Sequence, residues 1–226
     1  MERNNFRKVL LKLGLLFIIS FTLNDLYGQT EALKPLPHFL FQKFTKSIIK
    51  MKDGRTLTAI LDYNTVDEEM VFEQNGVYMV VDKPEELDTV YIQNSKFVYI
   101  QKAFYEVVSK GKVTLFIENR CHLTPVGSQT AYGITSKTLG PTKTWSMQSG
   151  NQVRNIELPN DVTVAPANVY WAQINGKMNK FQNEKQFLKL FPGNEEAIKN
   201  FIEKSGIDIK SREGLMNLGN FCNSLE

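Results

Sequence analysis

The chain has 226 residues, with 27 Lys and Arg against 24 Asp and Glu, 42% hydrophobic residues and two cysteines. This is the composition of a core-forming globular protein, and it excludes a disordered tail, a disulfide-stapled miniprotein and a multi-span membrane protein. The net charge of +3 invites an anionic partner only if it survives in the folded part of the chain.

Much of that charge lies at the start. Arg3, Arg7, Lys8 and Lys12 precede an apolar run from Leu13 to Leu23, and the small residue Gly28 follows. A cationic lead, a short apolar core and a small residue at the exit are the signature of a secretory signal peptide. The run falls well short of the ~20 apolar residues needed to span a bilayer. We expect residues 1–28 to be a leader cleaved after Gly28, leaving no stable transmembrane span. Removing them takes four of the 27 basic residues and two of the 24 acidic ones, so the mature balance is +1. Lys43, Lys46, Lys50 and Lys52 read as the solvated side of strands, and no basic run with interleaved aromatics points to nucleic acid.

Residues 29–182 read as a β-rich domain. Within residues 44–118 the apolar and polar positions alternate in short segments separated by turn residues. Lys46–Lys52 and Arg55–Leu61 flank Asp53-Gly54, and Met70–Gln74 and Val77–Val81 flank Asn75-Gly76. Both dipeptides supply the positive φ of a tight hairpin. Thr89–Ile92, Lys96–Ile100, Ala103–Val108 and Val113–Ile117 complete a meander, because strands this close leave no room for crossover helices. The expected architecture is α+β: an antiparallel, barrel-like meander followed by a helical tail.

Residues 121–150 depart from this pattern. Ser, Thr and Gly fill fourteen of these thirty positions, and Lys137 and Lys143 are the only charged residues there. A structureless loop of this length is uncommon inside a compact domain and is usually functional or disordered. It is the candidate contact segment, with Tyr132 and Trp145 as candidate anchors; Trp171, within Val169–Ala172, reads as core. Strands are expected to resume at 153–158 and 168–174, with Asn175-Gly176 as a third hairpin turn.

Residues 183–226 read as a helical segment packed on the same domain. Asn183 followed by Gln186 forms a helix-opening box, and Pro192-Gly193 stops that helix. Asn194 caps the next, with Glu195 and Glu196 in its first turn, and Gly206 ends it. Ser211 opens a last helix with Leu215, Leu218, Cys222 and Leu225 on one face.

In an oxidising compartment Cys121 and Cys222 could be bridged. Such a bond would close a ~100-residue loop, worth up to about 4.7 kcal/mol in the chain-entropy model. The alternative is two buried thiols acting as small hydrophobes. His38 and His122 lie far apart, and no metal-binding spacing is present, so neither metal nor cofactor is expected. Gly133–Thr138 lacks the glycines of a phosphate loop. Ser47-Ile48-Ile49-Lys50 and Ser149-Gly150-Asn151 lack the partner motif of penicillin-recognising enzymes. Asp88-Thr89-Val90 fits a periplasmic O-glycosylation acceptor, with Thr89 as the modified residue.

Several segments in order carry a resemblance: Lys52-Asp53-Gly54, Leu61–Asn64, Met70–Phe72, Phe104–Val108, Pro125–Gly127 with Ala131–Gly133, Phe187–Pro192 and Ala197–Ile202. In these the chain resembles a family of uncharacterised exported cell-envelope proteins of Bacteroidota. The resemblance implies a cell-envelope protein with a β-rich body and helical tail, and supplies no activity; the expected location is the periplasm or the outer-membrane periphery, with secretion as the alternative. The leading expectation is a non-enzymatic interaction or structural module whose partner is an envelope protein or glycan. The alternatives are a ligand-binding module for a lipid or glycan fragment, and a hydrolase with a site dispersed in sequence.

Overall fold

The computed structural model describes residues 36–126, 128–129, 135–136, 158 and 162–225. The expected leader, the candidate anchors Tyr132 and Trp145, and all but Leu158 of the expected strand 153–158 lie outside the described residues.

The strands appear where alternation and turn chemistry put them. β1 (Thr45–Met51) and β2 (Thr56–Asn64) are joined at Gly54, and β3 (Glu69–Gln74) and β4 (Val77–Val80) at Asn75-Gly76. Asn75 and Gly76 have φ of 55° and 77°, the left-handed geometry a two-residue hairpin demands. A short 3-10 turn over Pro84–Glu86 leads into β5 (Leu87–Ile92), followed by β6 (Ser95–Ile100), β7 (Ala103–Ser109) and β8 (Val113–Glu118). Beyond residues 121–150 come β13 (Val169–Ile174) and β14 (Lys177–Phe181).

These ten strands form one antiparallel sheet in the order β14-β13-β8-β7-β6-β5-β1-β2-β3-β4. The sheet does not close. β4 and β14 are its two edges, so the expected barrel-like meander is an open sheet.

The segment expected to be loose is ordered at its start. β9 (Cys121–Pro125) pairs with β12 (Val162–Pro166), setting Cys121 opposite Pro166 and Pro125 opposite Val162. β10 (Ser128–Gln129) and β11 (Thr135–Ser136) make a second small ladder. The expected loose segment thus opens on a regular strand, Cys121–Pro125.

Register assigns the side chains to two faces. Leu57, Ile49, Val90, Phe97, Glu106, Ile117, Tyr170 and Phe181 are successive cross-strand partners and share one face. Both hydrophobic cores lie on that face. The first joins Leu115, Ile117, Ala172 and Phe181 to the helices; the second joins Ile49, Leu61, Tyr63 and Phe97 on the β1–β7 half. Fully burying a side chain of this size gains about 1.5–3 kcal/mol, so the two clusters dominate the stability.

Three helices cover the first core: α1 (Glu184–Leu188), α2 (Glu195–Ser205) and α3 (Arg212–Ser224). Asn183 caps α1 as its spacing predicts, its side chain accepting from Gln186 N–H at 2.9 Å, while Gln186 Oε1 accepts from Gln182 N–H. Ser211 Oγ accepts from Gly214 N–H to start α3. Asn194 sits at the start of α2 without a side-chain cap; Glu195 instead accepts from Gly193 N–H. Phe187, Ile198, Ile202, Leu215 and Leu218 are buried against the sheet, and Phe201 stacks on Phe221 at 4.0 Å. Leu36 to the C-terminus makes one compact unit, so the helices belong to the same body as the sheet.

Candidate functional site

On the β1–β4 half the core face is only partly covered, and a half-open cleft of about 450 Å³ remains. Its walls are Ile49 and Met51 from β1, Leu57, Ala59 and Leu61 from β2, and Phe72 and Met79 from β3 and β4. Val81 and Leu87 close one end, beside a polar rim of Asp82, Lys83 and Glu86.

Local structure explains the space. Lys52 N–H donates to Glu86 O and Val81 N–H to Met70 O, which fixes the rim segment across the mouth. The small side chain of Ala59 stands between Leu57 and Leu61 on the same strand face and leaves room there. Leu57 is 44% exposed on the lip, an apolar side chain left to solvent at the entrance. Met51 and Met79 are unbranched and adapt to an irregular occupant. Lys83 Nζ lies 3.5 Å from Glu86 Oε1, and both side chains are mostly exposed.

The chemistry of this lining favours an apolar guest. The volume falls within the ~300–1,000 Å³ of ordinary small-molecule pockets. The polar lining residues are Thr58 and the rim, too few to satisfy the hydroxyls of a sugar. An alkyl chain needs no such partners and gains about 0.8 kcal/mol for each methylene buried.

At one end of the second core, a strap over residues 36–44 runs beside the end of β2, with an antiparallel bridge between Phe39 and Asn64. Leu40 N–H donates to Tyr63 O, and His38 O accepts from both Thr65 N–H and Thr65 Oγ1. Asp62 is fully buried; its carboxylate accepts from Phe41 N–H, Lys43 N–H and Tyr63 N–H at 3.1, 3.1 and 2.6 Å. Burial raises its pKa to about 6 against the pull of those three donors.

Glu118 on β8 and Glu68 in the turn between β2 and β3 share one charged partner, Arg120. Glu118 accepts from Arg120 and from Trp171 Nε1 at 2.8 Å, and Arg120 also reaches Glu68 at 2.9 Å. Burial raises the pKa of Glu68, while burial and the nearby carboxylates raise that of the Tyr63 hydroxyl. With both carboxylates on one guanidinium, the arrangement is an ion-paired brace.

The structure disperses the residues singled out from the sequence. Cys121 and Cys222 are both free thiols, so of the two readings the bridge is not formed and the alternative of two free thiols is found. Cys222 faces the first core from α3, whereas Cys121 N–H donates to Thr65 O beside the strap. Burial pushes Cys222 up to about 12 and also raises Cys121, the opposite of thiolate activation. Thr89 is 5% exposed, with its hydroxyl donating to Asp88, so the folded chain offers no open hydroxyl to a glycan there. Trp171 is half-buried on the sheet face opposite the cores.

His38 is buried in the strap and His122 is exposed on β9; neither lines the cleft. Among the described residues no group of His, Cys, Asp and Glu is placed to hold a metal, and no helix is long and apolar enough to cross a membrane. Sequence reading missed the cleft because its walls come from five separate segments. The one local sign was Leu57, an apolar residue beside the Asp53-Gly54 turn.

Comparison with protein-family models, curated proteins and solved structures finds no match to this chain.

Proposed function

We propose that the protein is an exported, non-enzymatic binding module of the cell envelope whose ligand is an acyl chain or a similarly slender apolar molecule. The half-open apolar cleft of about 450 Å³ carries this reading. Its lining selects the lipid fragment over the glycan fragment, for want of hydrogen-bonding side chains. The exported setting rests on the basic lead and apolar run of residues 3–23.

Titration of the purified protein with a fluorescent fatty acid tests the reading. Ala59→Phe fills the cleft and Leu57→Asp puts a charge on its lip. Each is expected to weaken binding at least tenfold, which is about 1.4 kcal/mol. Leu57 is exposed, so its variant should keep the urea midpoint of the parent. Equal affinity in parent and both variants would overturn the proposal.

A further inference from the structure

The face opposite the two cores carries a pattern that the cleft does not explain. Register sets Ile48 directly opposite Tyr91 on β5, and Ile60 directly opposite Lys46 on β1. Ile48 faces Thr58 on β2, so Ile60 is its diagonal neighbour, about 7–8 Å away across the pair. Ile48 is 47% exposed and Ile60 42%. Ile60, Ile48 and Tyr91 thus form an oblique apolar stripe on open sheet surface.

Lysines bracket the stripe on β1 and β6, and Glu73 on β3 is the second cross-strand partner of Ile60 at its other end. Lys46 and Lys50 stand two residues either side of Ile48 on β1, and Lys96 on β6 is the cross-strand partner of Tyr91. Lys50 Nζ lies 5.5 Å from the centre of the Tyr91 ring. Among the described residues none of the three lysines is held in an ion pair. A mature chain with a balance near +1 has therefore gathered three free ammonium groups around exposed aliphatic side chains.

We infer that this face docks on an anionic lipid surface. Ammonium groups meet the headgroups while Ile48 and Ile60 enter the acyl boundary, the division of labour of interfacial binding. The inference goes beyond the cleft and does not depend on it, since it uses the other face of the sheet.

Co-sedimentation of the purified protein with vesicles tests it, using phosphatidylcholine alone and phosphatidylcholine with phosphatidylglycerol. The parent should bind the anionic vesicles and be released at molar salt, where the Debye length is about 3 Å. Lys46→Gln, Lys50→Gln and Lys96→Gln should each weaken binding about fivefold, and the triple variant about a hundredfold. Ile48→Ser with Ile60→Ser should also weaken it while leaving the salt dependence in place. Lys199→Gln with Lys204→Gln, on exposed α2 positions, should leave binding unchanged. Ala59→Phe should also leave it unchanged, which separates failure here from failure of the cleft. Equal binding to both vesicle types, or equal loss in the α2 variant, would overturn the inference, as would undiminished binding by the triple variant.

Discussion

Glu106 Oε1 lies 2.7 Å from Arg212 Nε, joining β7 to the first turn of α3 across 106 residues of sequence. Glu106 is the one charged member of the cross-strand row on the core face, and Ser95 Oγ at 2.7 Å and Asn119 Nδ2 at 3.0 Å complete its partners. Glu106→Ala strands buried donors and is expected to cost about 3 kcal/mol. Arg212→Ala should cost about half as much, because Ser95 and Asn119 still hold the carboxylate and Arg212 is 43% exposed. Urea midpoints at constant slope measure both.

Gly219 brings α3 close against the sheet. A Cβ there would stand against Ser109 Cβ and Oγ and within 3.1 Å of Leu115 Cδ1. Alanine gains about 1 kcal/mol in helix propensity, yet the overlap forces the helix off the strand pair. Gly219→Ala should therefore lower stability by about 2 kcal/mol net. A thermal melt showing stabilisation would contradict this packing.

Asp62 makes stability depend on pH in an unusual direction. Its folded pKa of about 6 exceeds the reference of 3.8, so the native chain binds the proton more tightly than the unfolded chain. The group's contribution is most favourable below about pH 4 and is lost as pH rises through 6, a swing of about 3 kcal/mol. Asp62→Asn should flatten that part of the profile. Subtracting the variant's urea midpoints at pH 4.5, 6 and 8 from the parent's isolates it from other titrations.

The thiols give a direct chemical readout. Under denaturing, non-reducing conditions iodoacetamide should add two carbamidomethyl groups, one at each cysteine. In the native state Cys222 should remain unlabelled, being buried with its pKa pushed up to about 12. A mass lighter by two hydrogens and refractory to labelling would show a bridge instead.

Much of this architecture is legible in local sequence, and the limits are physical. Asn75-Gly76 and Asn175-Gly176 announce hairpins because few residue pairs accept their positive φ, and both are found there. Asn183, Ser211 and Gly206 mark helix ends for equally local reasons, hydrogen-bonded caps at the first two and a left-handed φ of 60° at the third. The β9–β12 ladder is not legible. Cys-His-Leu-Thr-Pro has one strongly apolar residue, and its partner begins 37 residues after its own end. The choice between a Cys121–Cys222 bridge and two free thiols stays open in the sequence for a related reason, since shared compartment and loop entropy say nothing about whether two side chains meet. The cleft depends on what leaves the core face uncovered, a property of the assembled sheet rather than of any segment.

The open sheet has a consequence for behaviour in concentrated solution. Its two borders, β4 and β14, have no further strand partner among the described residues and could template a neighbour, and nature blunts such borders by brevity and charge. β4 has four residues and runs into Lys83-Pro84, while β14 has five and carries Lys177 and Lys180. A ten-strand sheet can thus stay unclosed without seeding filaments, and lengthening either border with apolar residues is the change most apt to turn the protein into its own polymer.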